Sequence, residues 1–349
     1  MKRINGIKSV DFFIKAEGFG VVNWNGSASL YSEQAGKNVN NHLLPKMRGI
    51  DMLTISKMKD IDHKARLYIS QNCVKNALFK DFTYGLKEVT LSNVNDVLCS
   101  LVGLVRGYVI AEGSTSLKRK SSLFIEDFLS TPDVSLNYEQ FSQSAARNET
   151  SIFSKHTTGA TNYLAYGSIN IEDLQFLPLE DSLGRSCYRE VVTESEGQNL
   201  ATKITLFLKE LDFSQTKNPQ VVFSNNYVRV NSICKQGEAG LLLNDDAIDL
   251  VVVEIINIIK DLFISRSRAY VEVKELLVDY NEGKALRIKH SKEDINPSKD
   301  RNYAVYYEAQ PFSAEEYAEQ IKRVKAEKDA KKKKETKKVK EMPVEPISE

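Results

Sequence analysis

The sequence predicts an α+β protein, in which strands and helices alternate irregularly and long loops interrupt their order. Some stretches alternate apolar with polar residues, the period of two that is typical of strands, as in Val10, Phe12 and Ile14. Other stretches place apolar residues at the spacing of one helix face. Because the two kinds of stretch follow one another in interrupted β-α-β order, we favour an α+β domain over a doubly wound parallel sheet.

The amino-terminal part predicts a hairpin followed by a long loop. Ile7 to Ala16 reads as a first strand and Val21 to Trp24 as a second, with Gly18-Phe19-Gly20 as the turn between them. Residues 25–64 are rich in Asn, Gly, Ser and Lys and show little periodicity. A connection of this length in a compact domain is typically functional, so we interpret it as an inserted loop.

Two helices are predicted next. Ser70 is a suitable cap for a helix that runs through Lys80 and leaves Gln71, Asn72 and Lys75 together on a polar face. A longer helix should begin near Asn93, because Val94, Val97, Leu98, Leu101, Val105 and Tyr108 have helical spacing.

The middle of the chain changes character. Residues 113–161 mix a basic cluster with polar runs, which predicts a protruding insertion. Regular structure resumes with a strand over Tyr163 to Ile171 and a helix from about Asn199 to Leu211. Two extended runs then follow, Val221 to Phe223 and Tyr227 to Val230.

The carboxy-terminal part should close the domain near Phe312. Asn244 is placed to cap an apolar helix, and the runs Tyr270 to Tyr280 and Ala285 to Lys289 flank a glycine-containing turn that predicts a hairpin. Residues 313–349 are lysine-rich and poor in apolar residues, so we predict a charged, disordered tail.

Charge and hydropathy restrict the function only loosely. The chain has 48 basic and 47 acidic residues among 349, and this balance neither supports nor excludes nucleic acid, because phosphate binding depends on local potential. No stretch is long and apolar enough to span a bilayer, and no apolar segment follows the basic amino terminus. We therefore expect a cytoplasmic protein without a membrane partner.

Motifs for catalysis are missing from the sequence. The four histidines and four cysteines are scattered without metal-ligand spacing, and no phosphate-binding glycine loop or nucleophile elbow is present. We expect no catalytic residue, no metal and no cofactor.

Four regions combine cations with amides or hydroxyls, and in one case with an aromatic ring. Such groups hold phosphates and 2′-hydroxyls, while rings stack on bases. Taken singly, each region is more often a solvated surface. The candidate RNA-binding residues are Lys46 and Arg48; Gln71, Asn72 and Lys75; Lys118, Arg119, Arg147, Phe153 and Lys155; and Asn225 and Arg229.

Several sequence blocks, taken in order, resemble the Cas-seven family of Cascade backbone subunits, specifically the type I-F variant of CRISPR systems. The resemblance covers roughly residues 4 to 290. Its blocks are Ile4 to Phe12, Gly20 to Gly26, Leu44 to Gly49, Tyr68 to Cys73, Gly103 to Val109, Tyr166 to Ile169, Ser224 to Arg229 and Gly237 to Ala247.

This resemblance implies a modified RNA-recognition-motif (ferredoxin-like) palm within residues 1–312, with finger and thumb insertions at 25–64, 113–161 and 214–240. It implies crRNA as the ligand, copies of the chain in a helical filament, other Cascade subunits at the ends and pairing of the guide with target DNA. Arg48, Gln71, Asn72 and Lys75 would then lie on the palm, and Lys118, Arg119, Arg147 and Lys155 on protrusions over the RNA. Asn225 and Arg229 would contact RNA or the neighbouring subunit.

Two alternatives stay open on the sequence. Type III relatives of this family cut RNA with a loop aspartate, and Asp51 is the nearest candidate for a metal-dependent ribonuclease here. The near-neutral charge also allows a structural oligomer that binds no RNA.

Overall fold

The computed structural model of the chain describes residues 3–23, 28–32, 37–41, 47–48, 66–80, 89–112, 115–132, 137–143, 152–179, 192–233, 237–266, 268–283, 286–289, 291–311 and 322.

Strands make up most of the regular structure. In chain order they are β1 (Ser9–Phe19), β2 (Ala28–Ser32), β3 (Lys37–Asn41), β4 (Met47–Arg48), β5 (Arg66–Ile69), β6 (Tyr108–Glu112), β7 (Thr115–Arg119), β8 (Leu123–Ile125), β9 (Phe128–Ser130), β10 (Asn137–Gln143), β11 (Ile152–Thr158), β12 (Ala160–Asn170), β13 (Phe176–Pro178), β14 (Val221–Arg229), β15 (Glu238–Leu243), β16 (Phe263–Arg266), β17 (Ala269–Asn281) and β18 (Tyr307–Ala309).

The described residues contain fewer helices than strands. They are α1 (Gln71–Leu78), α2 (Val94–Leu98), α3 (Ile171–Gln175), α4 (Glu194–Leu211) and α5 (Asp245–Lys260), with a π-helical turn at Val102–Arg106 and a 3₁₀ turn at Arg287–Lys289.

The main layer is an eight-stranded sheet in the order β16-β17-β1-β12-β9-β5-β4, with β8 also paired to β12. A second sheet has the order β13-β15-β14-β18. Every pairing of named strands in the described ranges is antiparallel. The α+β class is therefore confirmed. On β1, Val10, Phe12 and Ile14 are buried in the core between this sheet and the helices.

The predicted amino-terminal hairpin is wrong. The chain continues as one strand from Ser9 to Phe19, which lies between β12 and β17. Gly18 is inside this strand, where a Cβ would stand 2.4 Å from the carbonyl oxygen of Tyr270. The glycine therefore allows a close approach between strands, whereas the bend falls at Gly20, which has φ +68°.

The predicted long helix over Val94 to Tyr108 is also wrong. It is divided into α2 and the π-helical turn, and Tyr108 already belongs to β6. Gly107, with φ +73°, ends the helical part. The apolar spacing was real, since Val97, Leu101 and Val105 are buried, but the burial is shared by two short helical pieces.

The predicted hairpin after Tyr270 is wrong as well. β17 pairs with β1 and with the preceding strand β16, and residues 287–289 form a 3₁₀ turn. Ile288 in that turn is buried, and the backbone N–H of Arg287 donates to Asp11 Oδ2 at 3.0 Å. A buried carboxylate from β1 therefore fixes this segment in place of a strand partner.

The predicted amino-terminal caps of two helices are confirmed. The Ser70 hydroxyl accepts from the backbone N–H of Cys73, and Asn244 Oδ1 accepts from that of Ala247, so both predicted caps are confirmed. The helix predicted from Asn199 begins five residues earlier, at Glu194, because Thr193 and Glu196 form a capping box.

The two extended runs predicted around residue 225 form one strand, β14, with an irregularity between Ser224 and Tyr227. Within residues 113–161, β8 and β9 pair with the large sheet, whereas β10 and β11 form a hairpin of their own. None of the helices in the described part of the chain is long and apolar enough to cross a membrane.

Candidate nucleic-acid interface

The exposed side of α1 carries the first group of candidate residues. Val74 and Leu78 are buried against the core, which turns Gln71 and Asn72 to solvent and leaves Lys75 half-buried. The amino-terminal end of the helix already has an anionic partner, because Asp127 Oδ1 accepts from the backbone N–H of Gln71 at 2.7 Å. A ligand on α1 would therefore be bound by its side chains.

Lys75 connects this helix to a second candidate group. Its Nζ donates to the Ser121 hydroxyl at 3.2 Å. The same hydroxyl lies 3.0 Å from the carbonyl oxygen of Val105 and 2.8 Å from that of Leu123. Ser121 directly follows the basic cluster at 118–120, so the tertiary structure joins two of the groups that the sequence left separate.

Arg106 belongs to the same surface and was missed as a site residue in the sequence. It ends the π-helical turn and donates through Nη2 to Asn76 Oδ1 on α1. Burial, and secondarily the charge of Arg106, lower the pKa of Lys75 below its ordinary value. A basic residue just before the helix-ending Gly107 was the signal available for finding it.

We call the set Gln71, Asn72, Lys75 and Arg106, together with Lys118, which lies three residues before Ser121, the basic face. Lys118 lies exposed on β7, opposite Val109, which is 65% exposed. Within the described ranges none of the three cations of this face pairs with a carboxylate. Their charge is therefore available to an anionic ligand.

Arg119 does not belong to this surface. It is only 5% exposed, and its guanidinium donates to the carbonyl oxygens of Gly103, Leu104 and Asp173 at 3.3, 3.4 and 2.7 Å. On a strand that alternates inward and outward positions, Arg119 points inward and Lys118 outward. We remove Arg119 from the candidate RNA-binding residues for this reason.

Helix α3 neutralises two further cations. Asp173 Oδ2 lies 2.6 Å from Lys120 Nζ, and Glu172 accepts from Nε and Nη2 of Arg229 at 2.6 and 3.1 Å. The hydrogen bond to Glu172 raises the pKa of Arg229 above its ordinary value. Arg229 is therefore engaged within the chain, while Asn225 is half-exposed at the irregular part of β14.

The other predicted residues fall elsewhere or outside the described part. The backbone of Arg48 pairs with Arg66 in β4 and β5, which leads into α1. Phe153 and Lys155 lie on β11, opposite Ser142 and Gln140 of β10. Lys46, Arg147 and Asp51 lie outside the described residues.

Metal ligation has no candidate in the ranges that the structure describes. There, no group of three or more His, Cys, Asp or Glu side chains could hold an ion. The expectation of no metal and no cofactor remains a prediction for the whole chain.

An antiparallel α+β fold with cations and amides gathered on one surface defines a class of candidate nucleic-acid-binding proteins. Within that class, the model of one family, described as type I-Fv CRISPR-associated protein Cas7fv-like, matches residues 6–310. The chain belongs to this family, which confirms the resemblance to the type I-F variant of the Cas-seven family.

Two solved structures resemble the chain weakly. A chain of a "CRISPR RNA-guided surveillance complex" is 15% identical with a TM-score of 0.27, and the match covers 65% of this chain and 71% of that one. A chain of a "CRISPR RNA-guided surveillance complex, pre-nicking" is 10% identical with a TM-score of 0.26, covering 65% and 80%. TM-scores at this level carry no argument about function. No curated protein matches the chain.

Proposed function

We propose that the protein is a non-catalytic backbone subunit that coats crRNA in a Cascade complex. Copies of the chain assemble side by side in a helical filament along the guide, other Cascade subunits bind at its ends, and the guide is presented for pairing with target DNA. Membership of the Cas7fv-like family supports this proposal, together with the basic face.

The observation that carries the proposal is the contact between Lys75 and Ser121, which places α1 beside the β6–β7 hairpin. Lys75, Arg106 and Lys118 supply positive charge for phosphates. Gln71 and Asn72 supply amides that hydrogen-bond to 2′-hydroxyls or to phosphate oxygens. Cations combined with amides bind the backbone of a single strand with little dependence on its sequence, as a guide carrier requires.

Within this proposal, the large sheet with α1 is the modified RNA-recognition-motif palm. The β10–β11 hairpin, with Phe153 and Lys155, serves as the finger over the RNA, and Asn225 and Arg229 lie in the thumb that faces RNA or the next subunit. The antiparallel order of the sheet and the separate pairing of β10 with β11 support this assignment.

The test is to co-express the chain with a precursor guide RNA and to analyse the purified particle by mass and by RNA length. We expect several copies of the chain on one RNA of defined length, and an absorbance excess at the nucleic-acid wavelength. Particles of defined mass that contain no RNA would instead identify a structural oligomer and overturn the proposal.

A further inference from the structure

Three aromatic rings lie exposed in a row on the outer side of the large sheet, at the edge formed by β16. Phe19 is the cross-strand partner of Tyr270, and their ring centroids are 6.4 Å apart with planes 21° from parallel. Phe263 lies 6.0 Å from Tyr270 with an angle of 23°. The rings of Phe19, Tyr270 and Phe263, which we call the aromatic row, are 37%, 40% and 47% exposed.

Packing in the hydrophobic core does not explain why aromatic residues stand at these three positions. The alternate residues of the same strands, Ala16, Val271 and Ile264, supply the buried side of the sheet. Neighbouring large apolar side chains exposed in this way are typical of binding surfaces.

A second aromatic pair on the same side of β1 differs from the aromatic row because cations cover it. Phe13 and Tyr166 lie 5.2 Å apart, and lysines from the carboxy-terminal segment cover them. Lys292 Nζ stands 4.1 Å from the centroid of Phe13, and Lys289 Nζ stands 5.2 Å from that of Tyr166. No described residue places a cation over the aromatic row in this way.

The charges around the row indicate the chemistry of the ligand. Arg268 is exposed where β16 passes into β17, two residues before Tyr270. Arg266 is also exposed, but it pairs with Ala269 and lies on the side of the sheet that Ile264 faces. Glu17 and Glu272 lie opposite each other on the same side of the sheet as the row, Glu272 is also the cross-strand partner of Phe263, and Lys274 pairs with Glu272. Lys15 and Glu275, both exposed, lie further along the same strands. Positive charge is therefore concentrated at the connection between β16 and β17.

We propose that the aromatic row is a stacking platform for bases of single-stranded nucleic acid, with Arg268 holding the adjacent phosphate. Near-parallel rings extend a stack of bases, and every base offers a π face, so this binding does not depend on sequence. Guanidinium groups bind phosphate oxygens in two-point fashion.

This inference rests on the proposed function, since it needs a nucleic acid that the protein already binds. The position of the row fits that function. β12 begins at Ala160, which pairs with Phe19, and β11, which carries Phe153 and Lys155, leads directly into β12. The proposed finger therefore starts beside Phe19, at the end of the strands where the row lies.

The experiment compares two labelled RNA strands of equal length, one with bases and one abasic, by fluorescence anisotropy at fixed salt. The variant Phe19→Leu/Tyr270→Leu/Phe263→Leu keeps apolar side chains and removes the rings. The matched control is Phe124→Leu on β8, an aromatic residue that is 47% exposed outside the row.

We expect the wild-type protein and the Phe124 variant to bind the base-bearing strand about tenfold more tightly than the abasic strand. The triple variant should bind both strands equally. Arg268→Gln should weaken the binding of both strands by a similar factor, because it removes a phosphate contact and leaves the rings.

Three outcomes would overturn the inference. If the triple variant keeps the preference for bases, the row is not a stacking platform, while the proposed function stands. If it binds RNA normally but sediments as a smaller oligomer without RNA, the row is a protein contact. If the wild-type protein binds neither strand, the proposed function is excluded as well.

Discussion

The Lys75 ammonium donates to the hydroxyl of Ser121 at 3.2 Å, joining residues 46 positions apart in the sequence. Through this contact, α1 lies beside the end of the β6–β7 hairpin, which carries Lys118. Arg106 joins the basic face from the π-helical turn, where its guanidinium binds Asn76. The basic face therefore depends on three separate parts of the chain, and it can be tested at each of them.

The double variant Lys75→Ala/Arg106→Ala should bind RNA at least about tenfold more weakly at physiological salt, because two phosphate contacts are removed. The slope of log affinity against log salt should become shallower by about 1.4 units, about 0.7 for each of the two contacts on a single strand. Fluorescence anisotropy over a salt series measures both quantities.

Lys209→Ala is the control, since Lys209 is an exposed lysine in the last turn of α4, a helix that carries no residue of the basic face. Its affinity and salt slope should equal those of the wild type. Equal losses in both variants would mean that the chain binds RNA through overall charge, and the basic face would lose its role.

RNA binding should also depend on pH in a way that reports Lys75. Burial lowers the pKa of this lysine below 10.5, so it loses its charge at lower pH than an exposed lysine. The RNA affinity of the wild type should therefore fall as the pH rises toward 10.5. The RNA affinity of the Lys75→Arg variant should fall less, because arginine keeps its charge. Anisotropy titrations at several pH values compare the two proteins, and parallel curves would exclude Lys75 from the interface.

The lowered pKa of Lys75 also affects the free energy of unfolding. Between the lowered pKa in the folded state and the ordinary value in the unfolded state, the unfolded chain binds more protons. The contribution of Lys75 to the free energy of unfolding therefore increases as pH rises through that window, and it is unfavourable below it. Urea unfolding of the wild type and of Lys75→Met should show a difference that shrinks as the pH increases.

Replacing Arg119 by leucine should unfold the protein more easily without a specific effect on RNA. Three carbonyl oxygens lose their donor inside the protein, which costs about 3 kcal/mol. The neighbouring variant Lys118→Ala should change the free energy of unfolding by less than about 0.5 kcal/mol while weakening RNA binding. Urea unfolding and anisotropy separate the two roles, and a stable Arg119 variant with weak RNA binding would contradict this assignment.

Gly107→Ala should destabilise the fold by more than about 2 kcal/mol. Its φ of +73° is unfavourable for alanine, and the new Cβ would stand 2.3 Å from the carbonyl oxygen of Arg119. Gly283→Ala is the control, because the nearest atom would be the Asn281 side-chain oxygen at 3.3 Å. Thermal unfolding of both variants tests whether this glycine ends the helical part for steric reasons.

The proposed absence of catalysis is tested at Asp51. Protein loaded with guide RNA should leave complementary target RNA intact in the presence of magnesium, and Asp51→Ala should behave identically. Regularly spaced cuts that disappear in Asp51→Ala would identify a metal-dependent ribonuclease. Gel analysis of end-labelled target RNA gives the answer.

Features that depend on near neighbours were predictable from the sequence. Ser70 and Asn244 each lie three residues before the N–H group that they cap, so the residue types alone specify where α1 and α5 begin. The α+β class and the family resemblance were likewise contained in local patterns and ordered blocks.

Features that depend on distant partners were not predictable from the sequence. Gly18 and Gly20 predict a turn that would make β1 half of a hairpin. The partners of β1 in the structure, β12 and β17, begin more than a hundred residues away. Strand pairing over such separations is set by burial on both sides of the sheet, which no local pattern contains.

The candidate site divides in the same way. The sequence determined that Gln71, Asn72 and Lys75 share one side of a helix, because helical spacing is a local property. Only the tertiary structure decided that Lys75 meets Ser121, that Arg106 joins them, and that Arg119 is buried while Lys118 is exposed. Those outcomes depend on which carbonyl oxygens and cations packing brings together in space, and packing is a property of the whole chain.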